Sequence, residues 1–179
     1  MRPPLYSADE RRRRDGSRWT LVQGVLAPLQ FAVFLLSLCL VLRYLLTGDG
    51  QAAATSSIVA KTFVLYTIMI TGSLWEHDVF GRYLFARPFF WEDVVSFLVL
   101  ALHTAYLIAL LRGTWAIRDQ MLLALLAYAA YLINATQFVL KLRMARAQRD
   151  IEKNFAWQET EKITGPGVAD SRTAAGLSQ

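Results

Sequence analysis

Between two long apolar segments the chain reads WEHDVFGRYLFARPFFWED, residues 75–93. Glu76, His77, Asp78, Arg82, Arg87, Glu92 and Asp93 lie there among Trp75, Phe80, Tyr83, Phe85, Phe89, Phe90 and Trp91. Carboxyl groups set among rings are partly withdrawn from water, which favours their protonated form. Such an acid can hold a proton near neutral pH and deliver it. Glu76/Asp78 and Glu92/Asp93 form two pairs, so one member can give a proton while another acts as base toward water. The rings offer flat surfaces to a flat, amphipathic ligand, and Arg82 and Arg87 can pair with its carboxylate. A plainer reading treats Glu92 and Asp93 as acids at a helix start, favoured by the macrodipole and clamped by the two arginines. That accounts for one pair, but not for both pairs and the rings.

Other chemistries are excluded by counting. His77 and His103 are the two histidines and Cys39 is the single cysteine. A protein-held transition metal needs three or four convergent ligands, and adjacent residues in EHD (76–78) point in different directions. No nucleophile elbow, phosphate-binding loop or dinucleotide fingerprint is present. Cys39 reads as a small buried residue and can form no internal disulfide.

The elements that must position the acids are membrane spans. The 179 residues are 55% hydrophobic, with mean hydropathy +0.32, and the apolar residues come in unbroken runs. Four runs, about 21–46, 57–75, 91–111 and 120–140, each approach the roughly 20 residues that cross a hydrocarbon core. Helix is the expected conformation, because an open strand leaves backbone groups unpaired in lipid. The fold class is therefore all-α, a polytopic four-helix membrane bundle. It is flanked by a basic segment (1–20) and by a tail (141–179) that begins as a basic helix and becomes disordered from about Gly165. No cleavable signal peptide is expected, since the first run is too long.

The net charge of +5 reads as membrane orientation and contact with lipid headgroups, not nucleic-acid binding. Arg2, Arg11–Arg14 and Arg18 precede the first span, Lys141, Arg143, Arg146, Arg149 and Lys153 follow the fourth, and Arg82 and Arg87 sit between the second and third. The other face carries Arg43, Lys61, Arg112 and Arg118. Both termini and the 75–93 segment are thus expected on the cytoplasmic side. Trp19, Trp75 and Trp91 on the inner side, with Tyr44 and Trp115 on the outer, fit interfacial belts.

Each span also carries a polar stripe. Gln23, Gln30, Ser37 and Tyr44 recur every seven residues. Thr62, Tyr66, Met69, Ser73 and Glu76 follow a three-four spacing, as do Glu92, Ser96, Val99, His103 and Tyr106, while Asn134 and Lys141 align in the fourth. Interhelical hydrogen bonding explains the hydroxyls. The amides and the imidazole point further, to a polar cavity opening toward the cytoplasm. His103 lies 11 residues beyond Glu92, about 16 Å deeper on nearly the same face. It reads as a general acid/base, as an axial ligand to a metal tetrapyrrole, or as a neutral histidine bonded to a neighbouring helix.

The segments RWTLVQGVLAPLQF (18–31), KTFVLYTIMITGSLWEHDVFGRYLFARPFFWEDVVS (61–96) and ALHTAYL (101–107) resemble the 3-vinyl (bacterio)chlorophyllide hydratases of phototrophic bacteria. The resemblance runs from Tyr6 to about Val139 and is carried by the combination of WE-x-x-VFG with FFWED. It implies addition of water to the C3 vinyl group of chlorophyllide a or 3-vinyl bacteriochlorophyllide a, giving a 3-(1-hydroxyethyl) group in bacteriochlorophyll biosynthesis. The magnesium belongs to the substrate and no cofactor is expected. The location implied is the bacterial inner or intracytoplasmic photosynthetic membrane, with a homo-oligomer or association with other pigment-synthesis enzymes left open.

Such a reaction needs a proton on the terminal vinyl carbon and water on the carbon attached to the macrocycle. On chemical grounds the acid is sought among Glu92, Glu76, Asp93 and Asp78, with Glu92 and then Glu76 preferred because they continue the inner stripes. His103 orients water or ligates the substrate magnesium, while Tyr66 and Asn134 polarise water. Arg82 or Arg87 binds the propionate, and Phe89, Phe90, Trp91, Trp75 and Gln30 line the ring. The rivals are a non-catalytic chlorin carrier or assembly factor and, less favoured, a small transporter.

Overall fold

The computed structural model describes residues 5–164; Arg2 and the tail from Gly165 lie outside the described residues. Five helices follow one another: α1 (Ala8–Gly16), α2 (Arg18–Thr47), α3 (Gln51–Phe80), α4 (Phe90–Arg112) and α5 (Ile117–Thr164). Among the described residues there is no strand. Four helices are long and apolar enough to cross a membrane: Arg18–Thr47, Gln51–Phe80, Phe90–Arg112 and Ile117–Glu161. The protein is thus all-helical with four candidate spans.

Local chemistry sets the helix ends. Ser17 caps α2 by accepting a hydrogen bond from the Trp19 amide, and Gly48, in the left-handed region, closes it by donating to Tyr44 O at 2.8 Å. Gly81 does the same for α3, with φ of 73° and a bond to His77 O at 2.9 Å. A side chain there would be strained, so glycine marks the place where the chain leaves the helix. Pro28 sits inside α2, tolerated because neighbouring helices can satisfy a freed carbonyl.

The first helix was not expected from the basic composition. Its signal is the capping box in SADE: Ser7 Oγ accepts from the Glu10 amide, and Glu10 reaches back to the Ser7 amide at 2.7 Å. This helix turns Tyr6 into the protein, where it is 5% exposed. Tyr6 stacks on Phe80 at 5.8 Å and lies against Phe89 at 6.3 Å, with the Arg14 guanidinium 4.8 Å from its ring centre. Thr20 Oγ1 donates to Arg14 O and accepts from Trp75 Nε1 at 3.0 Å. The N-terminal segment is thereby latched to the end of α3.

Tyr6→Ala removes a buried ring of a size whose loss costs about 3–5 kcal/mol in soluble cores. The expected result is faster tryptic cleavage at Arg11–Arg14 in the detergent-solubilised protein, read by mass spectrometry; an unchanged cleavage rate would count against the latch. Burial pushes the Tyr6 phenol above its ordinary value, against the lowering pull of Arg14. The latch is therefore complete below pH of about 10.0 and weakens as pH rises through the higher folded value.

Helices α2 and α3 pack antiparallel along the expected polar stripe. Gln23 Nε2 donates to Thr71 Oγ1 at 2.8 Å, and Ser37 Oγ lies 2.7 Å from Ser57 Oγ and also bonds Tyr128 OH on α5. Such bonds contribute on average about 0.6 kcal/mol each in a bundle, so they set register more than stability. The apolar core between the spans includes Phe34, Ile58, Leu65, Val99, Met121 and Tyr131. Cys39, expected to be buried, is exposed on the outer surface of α2. Residues 5–138 form one compact unit. From Val139 the last helix continues as a unit of its own, with Leu142, Met144, Phe155 and Trp157 exposed.

Candidate active site

The loop between α3 and α4 runs from Gly81 to Phe89 and brings three carboxylates together. Glu76, Glu92 and Asp93 are 5%, 7% and 4% exposed. The Glu76 carboxyl is hydrogen-bonded to the Asp93 side chain, with Glu92 close enough to interact electrostatically. Two carboxyl groups can hydrogen-bond to each other only when one of them carries a proton, so such a pair can share one between α3 and α4. The backbone of the loop covers the same pair. Phe85 N–H donates to Asp93 Oδ2 at 2.7 Å, and Ala86 N–H donates to Glu76 Oε2 at 3.2 Å.

This arrangement corrects the expected pairing. Glu76 and Asp78 are two residues apart on a helix and diverge: Asp78 is exposed while Glu76 points inward. The carboxyls that meet are those of Glu76 and Asp93, across two helices. Arg82 and Arg87 are also exposed, on the loop that covers the acids.

Phe85 has φ of 60°, the one positive value at a non-glycine residue among those described. A phenylalanine in that region stores strain of order 1–3 kcal/mol, which persists where surrounding contacts over-determine it. Here those contacts are the Asp93 bond and a stack on Phe97 at 5.5 Å and 11°.

The rings divide into two groups. Phe89, 2% exposed, packs against Trp75, Phe80, Tyr6 and Phe138. It is filled core and not a free platform, and Trp75 is half-buried in the same box. Phe85, Phe90, Trp91 and Phe97 are 38%, 44%, 69% and 38% exposed and form a contiguous aromatic face. Phe85 joins that face to the acids, since its N–H donates to Asp93 Oδ2.

Asn134 ties α5 to this end of α4. Its Nδ2 donates to Glu92 O at 2.9 Å and to Ser96 Oγ at 3.0 Å. Tyr66 is half-buried, with its hydroxyl 2.8 Å from Thr104 Oγ1, some distance along α3 from Glu76. Gln30 is 2% exposed, and both its amide atoms lack a partner.

His103 is fully buried. Its Nδ1 lies 2.8 Å from Val99 O, which only accepts, so Nδ1 carries the hydrogen and Nε2 is left as acceptor. Lys61 Nζ fills that position at 3.1 Å. Both ring nitrogens are thus engaged, and neither is open to a magnesium ion in this conformation. Lys61 itself is a correction: it was counted as an outer-face charge, but its exposure is 0%. The signal was in the spacing, because Ala54, Ile58, Lys61 and Leu65 share the buried face of α3. Among the described residues no group of three or more His, Cys, Asp or Glu side chains is arranged to hold a metal.

Comparison with known proteins supplies the remaining evidence. The chain is 66% identical over 142 residues to a 2-vinyl bacteriochlorophyllide hydratase of Cereibacter sphaeroides, covering 79% of this chain and 88% of the relative. It is 61% identical over 147 residues to a protein of the same description from Rhodobacter capsulatus, covering 82% and 85%. No solved structure matches. The family model for 2-vinyl bacteriochlorophyllide hydratase matches residues 6–144, which include all three buried carboxylates and the exposed aromatic face, and the chain belongs to that family.

Proposed function

We propose that this protein hydrates the vinyl group of a magnesium chlorin, chlorophyllide a or 3-vinyl bacteriochlorophyllide a, to the 1-hydroxyethyl product of bacteriochlorophyll synthesis. The 2-vinyl of the family description and the 3-vinyl used here are one substituent under two macrocycle numberings. Together with family membership, the observation that carries the mechanism is the hydrogen-bonded Glu76–Asp93 pair, buried behind an aromatic face.

In this reading the edge of the macrocycle that carries the vinyl group rests against Phe85, Phe90, Trp91 and Phe97, with the rest of the ring directed between the helices. Displacing the strained Phe85–Ala86 backbone uncovers the acids. The shared proton passes to the terminal vinyl carbon, and positive charge develops on the carbon attached to the ring, where the macrocycle delocalises it. Water attacks that carbon, forming the C–O bond, and its released proton returns to the emptied carboxylate pair. Glu92 adds negative charge that favours the cation, and Asn134 holds the start of α4 in register. Arg82 or Arg87, at the exposed rim, pairs with the propionate. No redox change occurs, and the metal arrives with the substrate.

The membrane is the bacterial inner or photosynthetic membrane, with lipid around the spans, both termini and the 81–89 loop cytoplasmic. Homo-oligomers or association with other pigment-synthesis enzymes fit a membrane-bound pathway enzyme. Orientation is read with a membrane-impermeant maleimide on cells, after Cys39→Ser, using single cysteines placed at Tyr83 and at Asp49. Labelling at position 49 and protection at position 83 is expected, and the reverse pattern would invert the topology.

Phe85→Gly removes both the strain and a ring. Thermal stability in detergent should hold or rise while KM for the pigment rises several-fold; an unchanged KM would remove Phe85 from the docking face. The reaction itself is tested by expressing the chain in a host without pigment synthesis and supplying chlorophyllide a. A product heavier by one water supports hydration, whereas bound but unchanged pigment would favour a chlorin carrier.

A further inference from the structure

Lys61 is the ionisable group that this mechanism leaves unused. Its ammonium group is enclosed within the third helix's span, 3.1 Å from His103 Nε2. It stands 4.1, 5.3 and 5.9 Å from the ring centres of Tyr131, Tyr128 and Phe34. Among the described residues no carboxylate pairs with it. Ring faces compensate part of its charge, but they supply no directed oxygen acceptor. A cation at membrane depth is rare and marks a functional position by default.

A second observation points the same way. Gln30, one helical turn before Phe34 on α2, is 2% exposed with both amide atoms unpartnered. Buried polar atoms are nearly always satisfied, so an orphaned amide one turn from the Phe34 ring, which the Lys61 ammonium approaches at 5.9 Å, points to a binding position for a polar group.

We propose that Lys61, with Gln30 on the facing helix, is the second polar pole of the substrate site. It takes an acceptor oxygen on the rim of the macrocycle remote from the vinyl group. This inference rests on the hydratase reading. Ten residues of α4 separate Asp93 from His103, roughly 15 Å along the axis, a length comparable with a substituted tetrapyrrole. A pigment whose vinyl group meets Glu76–Asp93 therefore carries its opposite rim to the level of Lys61. The pole is closed by the packed rings of Phe34, Tyr128 and Tyr131, which must part for the pigment to reach it. His103 accepts the Lys61 hydrogen bond and so orients the ammonium, acting as a positioning residue. The oxygen is the ring ketone, an acceptor for an ammonium donor, since the propionate is taken by Arg82 or Arg87.

The test compares three pigments on the wild-type chain and on Lys61→Met: chlorophyllide a, its propionate methyl ester, and the derivative lacking the ring ketone. Lys61→Met is expected to keep its melting temperature to within a few degrees, because the lost hydrogen bond to His103 Nε2 is offset by no longer burying a charge without a carboxylate partner. Its KM for chlorophyllide a should rise at least tenfold. The derivative lacking the ring ketone should show the same rise on wild type and no further rise on the variant, whereas the methyl ester, which probes the arginines, should raise KM on both proteins. A lysine that only pins the helices would instead lower the melting temperature and leave KM unchanged, overturning the proposal. Should Lys61→Met fail to fold, the wild-type chain alone decides: equal KM for chlorophyllide a and the derivative lacking the ring ketone also overturns it. Absence of hydration by the wild-type chain would fail the hydratase reading itself.

Discussion

Glu76→Gln is expected to reduce the rate of vinyl hydration at least about 100-fold, the lower range of what a positioned general acid contributes. The amide keeps the size of the side chain and can still accept the Ala86 N–H bond through its oxygen. Folding should therefore survive, and the loss should appear in kcat with little change in KM. That pattern marks an interaction made in the transition state and not in ground-state binding. Protein level in the membrane and pigment affinity are the controls. Near-normal turnover at normal protein level would remove Glu76 from the proton path and return attention to Glu92.

The second large effect is at Asp93, where two roles can be separated. Asp93→Asn preserves an oxygen for the Phe85 N–H at a residue with left-handed backbone, but it cannot pass a proton on. Turnover should fall to the level of Glu76→Gln with the melting temperature nearly held. Asp93→Ala loses the oxygen as well, leaving a strained residue without its restraint, so melting temperature and KM should both suffer. If the two acids share one proton they act as a unit, and the double variant Glu76→Gln/Asp93→Asn should be no slower than either single one. Losses that multiply would mean that each acid contributes separately.

Some of this architecture was legible in the sequence. Unbroken apolar runs need no tertiary information to be read as spans, and the stripes through Ser37, Glu76, Ser96, His103 and Asn134 do face the interior. The acid-rich, ring-rich segment was visible as chemistry, and its resemblance led to the right family. The pairing was not visible. Neighbours in sequence, Glu76 with Asp78, diverge on a helix, while the partners are joined by a loop whose geometry depends on a left-handed phenylalanine that no spacing rule announces. The rings were indistinguishable by composition, yet Phe89 is core and Phe90 is surface, because the helix begins between them. Charge counting mistook Lys61 for a topology signal. Its place on the Ala54–Ile58–Leu65 face was readable, but a lysine on an apolar stripe needs a partner, and that partner, His103, is 42 residues away.

The most direct measurement of the central claim is the mass of the pigment recovered from purified, detergent-solubilised protein after incubation with chlorophyllide a, with wild type and the Glu76→Gln/Asp93→Asn variant side by side. The account predicts a gain of one water for the wild type and unchanged pigment for the variant at equal pigment binding. Equal conversion by both proteins would contradict the role given to the buried acid pair, and unchanged pigment with both would contradict the hydratase reading.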